Sequence, residues 1–425
     1  MTYAAGIDFG TSGARIMVLD DRQALVYQGR IRLDQGPQQD LSVQWQGSLQ
    51  TLLDAMPATV RQKVRAIAIN GTSGTVLLCD RVGNALTEPL LYNDNRGQSV
   101  LPQLQGLVPD SSPALSATAS LASLLWWQAN LPPEIWQQAR YCLHQADWLA
   151  AQLHGQWGIS DYHNALKIGY NVGALAYPEA LQGLSVAPLL PEVVAPGSRI
   201  GPVGKEAARQ YDLHPTCQIH AGTTDSIAAF IASGACQPGT AVTSLGSTLV
   251  LKLLSTTRVE DRTLGIYSHR FGDLWLVGGA SNTGGAVLNA FFSEAELVQL
   301  SQEIDPAVPS KLDYYPLLTS GERFPINDPA YPPRLAPRPE QPEDFLHGML
   351  EGIARIEARG YQQLQRLGAS ALTQVLTAGG GAQNPTWTAI RQRHLPVPVE
   401  IAAQTEAALG TARLAQSGGL RGLLP

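Results

Sequence analysis

Asp8 stands inside an apolar run, in the stretch GIDFGTSGARIMVLD that spans residues 6–20, two residues before a Gly-Thr-Ser-Gly turn. A carboxylate in such a run needs a partner or a cation to offset its desolvation. The turn can supply one, because small residues between two strands let backbone N–H groups and the hydroxyls of Thr11 and Ser12 approach an anion. Mg²⁺ favours one or two carboxylates with waters and substrate phosphates, so Asp8 beside Thr11 could hold a metal-nucleotide. The alternative is an Asp that caps the turn by accepting backbone N–H bonds. The same grammar returns in AVTSLGSTLVLKLLS, residues 241–255, around Gly246, Ser247 and Thr248. That echo falls roughly half a chain length after the first and suggests two related domains, each contributing one turn. Either turn alone could be an ordinary hairpin. In AGTTDSIAAF, Asp225 follows a small-residue turn at the start of a helix-like run, where it reads as an N-cap.

The elements that must position these residues alternate between strand-like and helix-like segments, which implies α/β layers. RAIAIN and TVLLCD flank Gly71-Thr72-Ser73-Gly74 as a second strand-turn-strand. SLLWWQANLPPEIWQQARYCLHQADWLAAQLHG carries apolar residues at helical spacing on both sides of Pro132-Pro133 and predicts two helices. Pro, Gly and Ser gather between Pro188 and Val203, the approach to a domain boundary, before a helical KEAARQYDL.

The whole chain narrows the function. Its 425 residues exceed the roughly 250 to 300 at which a single core stops growing, so about two domains are expected. The net charge of −6 comes from scattered acids and no Lys/Arg stripe stands out, so nucleic acid is not expected as a partner. Four cysteines without a Cys-x-x-Cys point to reduced thiols and not to zinc or disulfides. No run of about 18 apolar residues suggests a membrane span, and the N-terminus enters a strand at once, so a soluble intracellular protein is expected. GPVGKE, residues 201–206, superficially resembles a P-loop, but Arg199 stands at the first glycine position and Glu206 where Ser/Thr would meet Mg²⁺. TAGGGAQNP, residues 377–385, lies between an apolar run and a helix-like one, as a nucleotide loop would, without spelling a dinucleotide fingerprint.

Together these segments resemble the FGGY carbohydrate kinases, of the actin, hexokinase and heat-shock-chaperone ATPase superfamily. GIDFGTSGARIMVLD is similar to the family's first phosphate motif and TSLGSTLVL to its second. NGTSGTVLLCD with PLLYNDNRG resembles the sugar-pocket strand and its aromatic-x-Asp-x-Arg segment, and QADWLAAQLHG with SDYHNAL the late first-domain elements. HAGTTDSIAAFIASGACQPG is similar to the stretch with the catalytic aspartate, YYPLLTSGERFPINDPA to the Gly-Glu-Arg segment, and AGGGAQNPTW with EAALGTARLA to the adenosine region.

The resemblance implies an α/β protein of two ribonuclease-H-like (actin/hexokinase-type) domains around a central cleft, expected here as residues 1–222 and 223–425. It makes Asp225 the base that takes the proton of a sugar hydroxyl, and a substrate-binding residue with Asp8, Ser73 and Gly74. Thr11, Ser12, Gly246, Ser247 and Thr248 become phosphate contacts of ATP, and Asp8 the holder of Mg²⁺ through water. Gly380 and Gly381 fall under the nucleoside, with Asn384 and Trp387 beside the base, although a Trp opening a helix also packs well in a core. Tyr92, Asp94 and Arg96 line the sugar or form a solvated turn with an ion pair. Thr75-Val76-Leu77 replaces the Gln-Met-His of bacterial-type xylulose kinases, and the Arg-Glu pair of glycerol kinases is missing. The chain thereby resembles the compact pentulose kinases of photosynthetic organisms, which implies D-ribulose as acceptor and D-ribulose 5-phosphate as product. D-xylulose phosphorylation, or a catalytically weak sugar-binding ATPase, is the alternative. The expected partners are ketopentose and ATP, with no nucleic acid or membrane. A monomer or homodimer is expected, in the cytoplasm, or in the plastid stroma if a plant transit peptide has been removed.

Overall fold

Residues Tyr3–Phe9 form β1 and Gly13–Leu19 form β2, an antiparallel pair with Asp8 opposite Arg15. Leu25–Arg32 (β3) continues the meander at the edge, with largely exposed side chains that include Arg30 and Arg32, a charged edge of the kind that discourages further pairing. Val64–Gly71 (β4), Arg199–Pro202 (β5) and Gln218–Thr224 (β6) complete a six-stranded sheet in the order β3-β2-β1-β4-β6-β5. β1, β4 and β6 run parallel at its centre. Their nearly continuous apolar runs reflect cover on both faces. Helices Leu41–Asp54 (α1), Ser120–Asn130 (α2), Gln145–His154 (α3) and Asp225–Ser233 (α4) accompany this sheet, and Leu49, Leu53, Leu149 and Leu153 join Ile7, Ile69 and Ile219 in one core.

A second six-stranded sheet repeats the plan. Thr240–Leu245 (β7), Leu249–Ser255 (β8), Tyr267–Phe271 (β9), Leu274–Ala280 (β10), Gln374–Ala378 (β11) and Val399–Ile401 (β12) stand in the order β9-β10-β8-β7-β11-β12. Again the first strand pairs antiparallel with the second and parallel with a crossover strand. Its helices are Gly285–Asn289 (α5), Glu294–Glu303 (α6), Pro342–Arg366 (α7) and Pro385–His394 (α8). At the centre of this core Arg391 Nε donates to Glu357 Oε2 at 2.6 Å, with both side chains fully buried. Thr243 of β7 also donates to Glu357, and Arg391 to Thr377 of β11.

The structure, a computed structural model, describes residues 2–33 and 40–425. It divides the chain into two units, Met1–Ala232 with Glu406–Pro425, and Ser233–Thr405. These bounds differ from the expected division at 222/223 in two ways. Asp225 and α4 as far as Ala232 belong to the first unit, α4 continuing directly from β6. The last helix, Ala407–Ser417 (α9), also returns to the first sheet: a Cβ on Gly6 of β1 would lie 2.1 Å from the Ala408 carbonyl oxygen, and one on Gly410 1.8 Å from that of Ala228. The Pro/Gly/Ser-rich stretch before Val203 is interior to the first unit.

Two local expectations also change. Tyr141–His144, predicted within a helix, is a strand paired antiparallel with Val76–Cys79 in a separate two-stranded sheet. Its short apolar run has no helical or strand period of its own, so burial and pairing decided its state. For the same reason TVLLCD lies outside the large sheet that RAIAIN enters.

Candidate active site

The parallel strands β1, β4 and β6 end together. Asp8 is in register with Asn70, and Asn70 with Thr223, so the carboxyl ends of three neighbouring strands present Asp8, the turn after β4 and Asp225 along one edge. Carboxyl ends of parallel strands are where α/β sheets characteristically bind ligands. Thr11 and Ser12 follow β1 in an exposed turn closed by the Gly10 N–H on the Gly13 carbonyl at 3.0 Å.

Asp8 is half-buried, and burial is the main force that pushes its pKa up to about 6. Asn70 Nδ2 opposes the rise by donating to Asp8 Oδ1 at 2.6 Å, while the Asp225 carboxylate adds to it. Thr411 of α9 donates to Asn70 Oδ1, which turns the amide nitrogen toward Asp8. Asp225 is half-buried at the first position of α4, its Oδ1 accepting the N–H of Ser226 at 2.6 Å. Two residues upstream, Thr223 Oγ1 meets His163 Nδ1 at 2.7 Å. The segment of His163 is held by Asp161, which accepts from the N–H groups of His163 and Asn164 and from Asn164 Nδ2. Burial, with the Asp147 charge, pushes Asp161 up to about 7.

Ser73 and Gly74 occupy a tight turn whose Thr72 and Thr75 hydroxyls meet at 2.6 Å. Thr75 also receives the Tyr92 N–H, which ties the Tyr92–Arg96 loop to that turn. Within the loop Arg96 pairs with Asp94 at 2.6 Å and lies over the Trp126 ring at 5.0 Å, while Tyr92 is exposed. The ion-paired turn foreseen as one of two readings is therefore present.

In the second unit the turns after β7 and β11 meet. Gly379 has φ 85°, and a Cβ there would lie 2.6 Å from the Leu245 carbonyl oxygen and 3.0 Å from the Gly246 nitrogen. Only glycine permits that approach. Beside it lies a cavity of about 520 Å³ whose walls include Gly246, Ser247, Gly380, Gly381, Asn384 and Trp387, which brings six expected nucleotide residues to one place. Thr248 adjoins but is not in the wall.

Two of the six serve structural purposes as well. Trp387 is 2% exposed in the core, and a Cβ on Gly381 would lie 2.6 Å from its Cζ3. Its ring underlies the glycine turn. Asn384 caps α8 by accepting the Trp387 N–H at 3.0 Å and donates to Ser301 Oγ at 2.8 Å, so its amide is a strut between α8 and α6. The opposite wall, Asn289 of α5 with Glu294, Leu297, Val298, Ser301 and Gln302 on or beside α6, escaped the sequence reading. A signal existed: Ser293 and Glu296 form a capping box at the start of α6. What the walls enclose depends on packing, and that was not readable.

The donor set suits Mg²⁺ carried by a nucleotide. Asp8 offers a carboxylate beside a turn of small and hydroxyl residues, and no group of three or more His, Cys, Asp or Glu that could cage a metal occurs among the described residues. No helix among them is long and apolar enough to cross a membrane, and all four cysteines are free.

Residues 3–232 match the N-terminal domain of the FGGY family of carbohydrate kinases, and residues 241–418 its C-terminal domain. The chain is 24% identical over 437 residues to the xylulose kinase of Escherichia coli (strain K12), covering 97% of this chain and 89% of that one. It is 23% identical over 308 residues to the ribulokinase of Shouchella clausii (strain KSM-K16), covering 61% and 54%. The xylulose kinase structure from Rhodospirillum rubrum shares the fold, with a TM-score of 0.85 at 21% identity over 99% of this chain and 92% of that one.

Proposed function

The chain belongs to the FGGY family of carbohydrate kinases, and from that premise we propose that it transfers the γ-phosphoryl group of ATP to the terminal hydroxyl of a pentulose, D-ribulose first among them. One observation carries the reading: β1, β4 and β6 end in register, so that Asp8, Ser73, Gly74 and Asp225 share one sheet edge.

In this reading the Asp225 carboxylate accepts the hydroxyl proton as the oxygen attacks phosphorus. The Ser73–Gly74 turn orients the sugar. The turn of Thr11 and Ser12 and the turn of Gly246, Ser247 and Thr248 are each read as donors to phosphate oxygens. The cavity beside Gly380 and Gly381 takes the adenosine, with Asn384 and Trp387 shaping its floor. Asp8 would hold Mg²⁺, which when bound would supply neutralisation of the phosphate charge.

D-xylulose is the second acceptor. It is favoured by the longer stretch over which this chain resembles a xylulose kinase than a ribulokinase. The test is ADP release with product mass analysis across D-ribulose, D-xylulose, L-ribulose, gluconate and glycerol. The highest kcat/KM is expected for D-ribulose. ADP release that no sugar accelerates would leave a sugar-binding ATPase instead, and a non-pentulose optimum would overturn the acceptor class.

A further inference from the structure

Thr72–Thr75 is a β-turn closed by the Thr75 N–H on the Thr72 carbonyl at 3.3 Å. Gly74 at its third position has φ 95°, the geometry of a type II turn. The central peptide of such a turn joins the Ser73 carbonyl to the Gly74 N–H, and because the unit is planar and trans these two groups point in opposite directions. Flipping that peptide exchanges them. Whatever holds the Ser73 carbonyl therefore decides which way the Gly74 N–H points.

Lys167 holds it. Its Nζ donates to Ser73 O at 2.9 Å, from the 3-10 turn Ala165–Ile168. The side chain packs so closely that a Cβ on Gly74 would lie 3.0 Å from Lys167 Cδ and 3.1 Å from Nζ. Ser120 Oγ, at 3.5 Å, donates to the next carbonyl, that of Gly74. Among the described residues no backbone carbonyl accepts the Gly74 N–H.

We propose that Lys167 is a positioning residue for the acceptor: by locking the Ser73–Gly74 peptide it aims the Gly74 N–H at the keto oxygen of the sugar. The inference rests on the pentulose-kinase reading above. A carbonyl oxygen only accepts hydrogen bonds, so a keto oxygen needs the locked turn, whereas a hydroxyl can pair with either orientation. A flipped turn would present the Ser73 carbonyl instead, repelling a keto oxygen but accepting a bond from the hydroxyl of a pentitol.

The test compares wild type, K167M, K167R and G74A with D-ribulose, D-xylulose and the pentitols ribitol and D-arabitol. For K167M the pentulose KM is expected to rise about ten- to a hundredfold, and the ketose-over-pentitol ratio of kcat/KM to fall by a similar factor. The ATP KM and the change in kcat should stay within about threefold. K167R keeps a donor and should retain the ketose preference. G74A, strained at this φ and pressed on Lys167, should reproduce the K167M ratio, and the double variant should add little further loss. An unchanged ratio in K167M, or a loss confined to kcat, overturns the proposal while leaving the kinase intact. If K167M does not fold, an unchanged ratio in G74A does the same. A wild type that phosphorylates no pentulose removes the underlying reading and the proposal with it.

Discussion

Asp8 and Asp225 lie at the ends of neighbouring parts of one sheet and answer to different tests. Asp225→Asn keeps the shape but removes the carboxylate proposed as the base. Sugar phosphorylation should fall by about 10² to 10⁴ while calorimetric Mg-ATP affinity stays near wild type. Near-normal turnover would remove Asp225 from that role. Asp8→Asn carries a second signature, in stability. The folded pKa of about 6 lies above the ordinary 3.8, so the folded chain holds this proton more tightly than the unfolded one. The group favours folding most at acid pH, and that contribution declines as pH rises through 4 to 6. With the charge removed, D8N in EDTA should unfold at higher temperature than wild type at pH 8, by up to about 3 kcal/mol, and the advantage should shrink toward pH 4. A pH-independent difference between the melting curves would refute the desolvation account. Trp387, 2% exposed beneath Gly381, behaves as core: Trp387→Ala should destabilise by about 3 to 5 kcal/mol in denaturant titrations.

At the scale of elements, the buried Glu357–Arg391 pair joins α7 to α8, and through Thr243 and Thr377 reaches β7 and β11. The turns that follow those two strands line the cavity beside Gly379. Removing one charge leaves the other buried without its partner, so Arg391→Met should cost about 3 to 5 kcal/mol. The double variant E357L/R391M should recover part of that. Equal losses in the single and double variants would mean the pair's hydrogen bonds, and not the stranded charge, set the cost. Both elements announce themselves in the sequence, α8 through its Asn384-Pro385 start and β11 through TQVL. The pairing of a Glu with an Arg 34 positions away does not, because no local pattern marks it.

For the whole molecule, the chain leaves its first unit at Ser233 and returns at Glu406, so α9 packs against a sheet begun by residue 3. Thr411 of α9 also orients Asn70 beside Asp8. A chain ending at Thr405 should therefore lose hydrogen-exchange protection selectively in β1, β4 and β6, while the Ser233–Thr405 sheet keeps most of its own. Uniform loss over both sheets would show that the two units fold as one.

The sequence by itself determined the two related sheets, the glycine and hydroxyl turns after their first strands, and the aspartates at strand ends. These are local signals: a carboxylate in an apolar run, small residues between strands, a helix beginning at Asp225. Tertiary structure decided where the units divide, which helix the first sheet recovers from the far end of the chain, and which neighbours each side chain at the site meets. The reason is that these depend on contacts between residues remote in sequence. Asn384 reads as a nucleotide contact, and only the fold shows that its amide also donates to Ser301. Trp387 reads as a stacking surface, and only the fold shows that its ring also lies against Gly381. Lys167 draws no notice at all until its ammonium meets the carbonyl of Ser73, 94 positions earlier in the chain.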